Sequence, residues 1–361
     1  MTNDFENIKT DYRKYIRGKI LFIVICCIAV IILTGVSCAI GSRHIDFLQV
    51  YGILGDHVQG VSYAQGSSEW WDDYIVYNIR LPRVVMAIVA GVALALGGVA
   101  MQSMMANPLA DPYTTGISSG ACFGAVAAMV MGMSFSSAMG QYGIVTNAFI
   151  CGMAPAFVII LIAQRYRASP ATLILAGIAI SYLFNAMNTL LLIMSDADTI
   201  HAAYLWQIGS LQNAEWSDIP LMLIVALVGS VFLQLTSRKL NLLTLGDESA
   251  KSLGLDASKY RTLCLIIIAL MASSIISYTG IIGFLGLVSP HIVRLVLGAD
   301  NKFLIPASMA FGAAFLLFAD LIGRTIVAPG ELPVGLIMSF IGGPLFLYLI
   351  IRQKKGYGEV Y

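Results

Sequence analysis

Hydrophobic positions in this chain come in long unbroken blocks, and the charged residues fall almost entirely between them. A helix needs about 20 mostly apolar residues to cross a bilayer core. The block 20–42 has that length and predicts a first span, and 84–110 predicts a second. The block 112–164 is uncharged throughout but too long for one helix, and "MGMSFSSAMGQYG" at 131–143 offers a turn between two. Further spans are predicted at 168–195 and 219–237. The block 262–293 again divides, at "YTGIIGFLG" (278–286), and 303–326 and 332–351 complete ten. The first apolar run exceeds the 7–15 residues of a signal-peptide core, so "GVSC" (35–38) is read as part of a retained helix.

Composition agrees with a bilayer location. The 361 residues are 58% hydrophobic and 11% charged, with mean hydropathy +0.83, against about 25% charge in soluble domains. One polytopic domain, 1–361, fits better than two soluble ones. There is no basic stripe of the kind nucleic acid requires.

Lys and Arg set the orientation. Lys9, Arg13, Lys14, Arg17 and Lys19 mark 1–19 as a cytoplasmic segment, and Arg352, Lys354 and Lys355 mark 352–361 as a cytoplasmic tail. Arg165, Arg167, Arg238 and Lys239 then fall inside, and the acidic loops 43–79 and 196–218 fall outside. Trp70, Trp71, Trp206 and Trp216 lie near those outer ends, as interfacial anchors do.

Candidate chemistry is sparse. The phosphate-binding G-x-x-x-x-G-K-[ST] string is absent, as are H-E-x-x-H and G-x-S-x-G. Six cysteines lie in apolar spans without metal-ligand spacing, and sixteen methionines read as membrane packing. His291, after Pro290, reads as a structural hydrogen-bonder. No metal site is predicted. Arg80 and Arg83 open the second span from outside, and Asp320 and Arg324 stand four residues apart at the outer end of another. These charges fit an i,i+4 ion pair with snorkelling side chains, or a docking surface for an acidic partner. The inner loop 237–261 predicts two short helices, and "GDESAKSLG" reads either as a solvated connector or as a partner-docking helix.

The strings "RLPR" (80–83), "NPLADP" (107–112), "GISSGA" (116–121), "LWQIGSL" (205–211), "LGDESAKSLGL" (245–255), "GFLGLVSPHIVR" (283–294) and "ELPVG" (331–335) occur in this order. Together they resemble the FecCD-type permeases, the membrane subunits of ABC importers for iron-siderophores, haem and cobalamin. The resemblance implies an all-α type II ABC importer permease fold of ten transmembrane helices in a bacterial or archaeal cytoplasmic membrane. It implies a homodimer with the path at its interface, two cytoplasmic ATPase subunits that hold ATP and Mg, and an external binding protein. The chain itself would bind no cofactor and hydrolyse nothing. By motif match, Arg80, Arg83 and Arg324 resemble the arginines that receive glutamates of the binding protein. Gly246, Asp247, Glu248, Ser249, Ala250, Leu253, Gly254 and Leu255 resemble the coupling helices seated on the ATPases. Asn107, Pro108 and Leu109 resemble part of the inner gate. Ser169 and Pro170 open the helix that resembles the path-lining one, although "SPAT" (169–172) departs from the usual run of hydroxyl residues.

The alternative of another class is a self-sufficient secondary transporter, which would place carboxylates near the midplane. Only Asp320 comes close, and Arg324 can pair with it. In the loop 106–120, Pro108 is expected to end the second span, Asp111 and Pro112 to keep the chain extended, and the hydroxyls of "TTGISSG" to cap the next helix. Gly116 and Gly120 allow close helix contact.

Overall fold

The computed structural model describes residues 2–41, 43–132, 135, 141–166 and 169–357, and all regular structure among them is helical. In chain order the helices begin with α1 (Thr2–Ala39), α2 (Phe47–Val58) and α3 (Ser68–Tyr74), which runs through a π-helical segment (Ile75–Arg80) into α4 (Leu81–Met104). A 3-10 turn (Pro112–Thr115) leads to α5 (Ile117–Met131), α6 (Gln141–Tyr166), α7 (Pro170–Ile193) and α8 (Ala197–Ile208). Next come α9 (Ile219–Leu235), α10 (Ser237–Leu243), α11 (Asp247–Ser252) and α12 (Ala257–Thr279). The last three are α13 (Leu285–Leu297), α14 (Asn301–Thr325) and α15 (Val334–Tyr357).

Each apolar block of the sequence coincides with a helix: α1, α4, α5, α6, α7, α9, α12, α13, α14 and α15. Among the described residues, six helical stretches are long and apolar enough to cross a membrane, or seven if α9 and α10, bent by 66°, form one span. The helices α5, α13 and the apolar part of α15 are shorter. Length and composition therefore support six or seven spans directly, not ten. The expected break 131–143 and Arg167 lie largely or wholly outside the described residues, as does the end of the tail 352–361.

Several boundaries differ from the sequence reading. The first helix begins at Thr2 rather than near residue 20, because the intervening Lys, Arg and Glu are good helix formers. Lys19 is buried there, its ammonium over the rings of Tyr15 (4.3 Å) and Phe303 (4.8 Å). The helix α4 ends at Met104, before Pro108 is reached. Ala106 adopts a left-handed φ of 47°, its N–H bonds to the Ser103 carbonyl, and the Asn107 N–H reaches back to Gln102. This Schellman arrangement satisfies the end carbonyls and stops the helix. The stretches read as outer loops contain α2, α3 and α8, each started by a side-chain cap from Asp46, Ser67 or Asp196.

The helix α4 is the hub. The most apolar window of the α3–α4 stretch is 83% buried, against 17% for α1 and for α7, which lie at the periphery. Packing there is by close backbone approach. A Cβ on Gly98 would collide with the Gly286 carbonyl of α13, so only glycine allows this crossing.

Candidate functional site

Two polar assemblies stand at opposite ends of the bundle. The first gathers where α1 finishes. A helix leaves its last four carbonyls without intrahelical partners, and cations there are favoured. Arg80 meets this need: its Nη1 donates to the carbonyls of Cys38 (2.5 Å) and Ala39 (3.0 Å), and Nη2 to that of Arg43 (2.6 Å). Arg324, from the end of α14, donates to the Ser37 carbonyl at 2.8 Å. Arg83 instead crosses to Asp320 of α14, with Nε 3.1 Å from each carboxylate oxygen and Nη2 2.9 Å from Oδ1. Its remaining Nη1 takes Glu331 at 2.7 Å.

The expected ion pair of Asp320 with Arg324 is present, at 3.5 Å. The structure thus joins Arg83 and Arg324 around one carboxylate and holds Arg80 on the end of α1, and it turns these predicted docking arginines inward. Arg80 is 5% exposed and Arg83 8% exposed, while Glu331 is the more open member of the group. The segment 43–80 adjoins this cluster, since Arg43 pairs with Asp72 and bonds the Ser68 hydroxyl.

The second assembly lies at the other end of α4. Asn107 folds onto the chain by accepting the Leu109 N–H at 2.9 Å, and Leu109 projects outward. Asp111 is buried and extended, as expected (φ −136°, ψ 150°), and its carboxylate accepts the Tyr113 N–H at 2.7 Å. The hydroxyls of Thr114 and Thr115 do not cap α5. They bond back to the carbonyls of Asp111 and Pro112 and close the 3-10 turn. The residue before α5 is Gly116, with φ 83° and no side-chain cap.

That turn rests on α7 at Gly177, where a Cβ would collide with the Thr114 carbonyl. The contact between the 3-10 turn and α7 therefore runs through Gly177. Ser169 and Pro170 sit at the exposed start of α7, where Ser169 Oγ caps the Thr172 N–H at 3.2 Å.

Beside this loop, α10 and α11 form the two short helices expected within 237–261. Gly246 (φ 90°) and Gly254 (φ 84°) bracket α11 in left-handed conformations with open space around them. Ala250 is fully buried and seats the helix, while Asp247, Glu248, Ser249 and Leu253 face outward and Leu255 is half-buried. Leu245 and Leu253 are each 60% exposed, an apolar pair flanking an acidic turn. Asp256 caps α12 by accepting the Lys259 N–H, and that bond holds its carboxyl below the usual carboxylate range.

Sequence reasoning missed three participants. Glu331 was visible only as part of a string. Arg261 was read as the end of a loop, yet it is 3% exposed and bonds both Asp247 and the Met104 carbonyl. Gln102 accepts from Arg294 at 2.8 Å and ties α4 to α13. His291, expected to hydrogen-bond, is buried with neither ring nitrogen partnered among the described residues.

Among the described residues the regular structure is helical, with long apolar helices, a polar assembly at each end of α4 and a pair of short connecting helices, the architecture of a polytopic membrane protein. The chain belongs to the FecCD transport family, whose family model matches residues 23–352. It is 42% identical to the hemin transport system permease protein of Yersinia pestis over 78% of this chain and 84% of that protein. It is 39% identical to the cobalamin import system permease protein of Halobacterium salinarum, covering 76% of this chain and 73% of that one. The Fe(3+)-citrate import system permease protein of Bacillus subtilis is 34% identical over 96% of this chain and 99% of its own length. Among solved structures, a chain from an inward-facing ABC transporter assigned to the metal-chelate type superposes with TM-score 0.79 at 28% identity. The match covers 91% of this chain and 98% of that one.

Proposed function

We propose that this chain is the membrane-spanning subunit of an ATP-driven importer for an iron chelate, a siderophore complex or haem. Cobalamin is the alternative cargo within the same family. Two copies form the path at their interface, each crossing a bacterial or archaeal cytoplasmic membrane ten times with both termini inside. An external binding protein delivers the cargo at the Arg80, Arg83 and Arg324 end, where the outer rim lies in this reading. Two ATPase subunits, which carry ATP and Mg, seat the 246–255 segment around α11. The chain holds no cofactor and performs no covalent chemistry.

Transport proceeds by alternating access. ATP binding and hydrolysis in the partners move α11, and the helix pairs rock so that the 105–116 loop opens or closes the inner end. The observation that carries this reading is the α11 face: Glu248, Ser249 and Leu253 point outward, while Ala250 and the inner side of Asp247 hold the helix to the fold. An apolar pair flanking an acidic turn is suited to a cleft on another protein. Co-purification tests it. ATPase subunits co-expressed with the chain are expected to remain bound, and Leu253→Glu to release them. Equal recovery of the subunits with Leu253→Glu contradicts the assigned surface.

A further inference from the structure

The guanidinium of Arg261 joins three elements that the proposed cycle must move together. It lies in the first turns of α12 and is 3% exposed. Its Nη2 meets Asp247 Oδ1 at 2.5 Å and its Nη1 meets Oδ2 at 3.2 Å, the two-pronged grip of a planar fork on a carboxylate. Its Nε donates to the Met104 carbonyl at 3.1 Å. Met104 is the last residue of α4, and its carbonyl belongs to the set that a helix end leaves unpaired. The chain turns left-handed two residues later, at Ala106, and enters the 107–111 loop.

Asp247 is half-exposed and opens α11 on the outward face, so one of its sides is open to a partner while the other is gripped from within. A buried guanidinium that loses its carboxylate is costly, because the charge stays in a poorly solvating site. Displacing α11 therefore cannot be absorbed at α11 alone. Either Arg261 follows and draws on the Met104 carbonyl, or the grip breaks and releases it. Lysine could not serve both acceptors in one plane, since its ammonium is a point charge on a flexible stem.

We propose that Arg261 is a positioning residue that transmits movement of α11 to the end of α4, and so sets the conformation of the 105–111 loop. This rests on the reading of α11 as the ATPase-seated helix.

The test uses the permease assembled with its ATPase subunits in proteoliposomes. Leu109, exposed in the loop, is replaced by cysteine in a chain whose six native cysteines are serine, and its labelling by a membrane-impermeant maleimide is timed with and without ATP. The parent is expected to change its labelling rate when ATP is added. Arg261→Gln is expected to reduce that change by about fivefold or more, the smallest factor typical of a coupling free energy. Asp247→Asn leaves the bond to Met104 in place and is expected to reduce the change as well, which covers the case in which Arg261→Gln fails to assemble.

A residue that merely braced the fold would lower the thermal stability of the complex and leave the ATP response intact. An undiminished response in either variant overturns the relay alone. A parent chain that binds ATPase subunits yet labels identically with and without ATP overturns the relay too. A parent that binds no ATPase overturns the importer reading itself.

Discussion

Arg83 and Asp320 face each other across the packing of α4 on α14, 237 positions apart in sequence, with both Nε and Nη2 on the carboxylate. Asp320 is 1% exposed and also lies 3.5 Å from Arg324, so one buried anion serves two buried cations. Removing one member of such a group leaves charge uncompensated in a site that solvates it poorly. Asp320→Asn is therefore expected to destabilise the chain by about 3–5 kcal/mol. Thermal unfolding in detergent measures this, and an unchanged midpoint would contradict the clamp.

Glu331 occupies the third donor nitrogen of Arg83, and its side chain is 32% exposed. If glutamates of a binding protein come to these arginines, Glu331 competes for the same guanidinium. Glu331→Gln is then expected to tighten docking, most visibly at low salt, where charge pairing is least screened. Immobilised permease and its soluble binding protein provide the measurement. Weaker docking by the variant would show that Glu331 belongs to the docking surface rather than opposing it.

The crossing of α4 and α13 admits no side chain at Gly98. Gly98→Ala must push the helices apart and is expected to cost about 1–3 kcal/mol. Gly18, in α1, has open space where a Cβ would stand, and Gly18→Ala is expected to be neutral or slightly stabilising. Comparing the two variants by thermal unfolding separates loss of the crossing from a general effect of the substitution.

Asp256 supplies the cap of α12, and its carboxyl is held below its ordinary value chiefly by the Lys259 N–H. Because the folded value is depressed, the cap's contribution is present at neutral pH and is lost as pH falls through that lowered value. Hydrogen exchange at the Lys259 N–H, taken relative to an unstructured amide at the same pH, is expected to accelerate as pH falls through that lowered value. In Asp256→Ala it should be fast already at pH 7. An exchange rate that ignores both changes would remove Asp256 from this role.

Much of this architecture is written in local sequence. Apolar blocks locate α7 and α9 to within a few residues, and "YTGIIGFLG" contains the break 280–284 because Gly280 and Phe284 both take positive φ there. The Asp320–Arg324 pair is legible because i,i+4 spacing places both on one helix face. The misses have a common cause, which is that tertiary partners decide the outcome. The Schellman turn at Ala106 pre-empted Pro108, and the threonine hydroxyls found nearer carbonyls than the helix they were expected to cap. The helices α2 and α3 are short and contain glycine or acidic residues, and they form because Asp46 and Ser67 cap them and because Val50 and Ile53 find a core. The inward turn of Arg83, and the grip of Arg261 on Asp247 and Met104, depend on residues that no spacing rule brings together.

In the proposed cycle this chain moves its cargo only when ATPase subunits drive it. The most direct measurement is uptake into proteoliposomes of a ferric hydroxamate, ferric citrate, haem or cobalamin, with the chain alone and with its ATPase subunits and binding protein added. Accumulation of one of these cargoes is expected to require ATP and all partners, with none for the chain alone. Uptake by the chain alone, driven by a proton or sodium gradient, would contradict the proposed cycle.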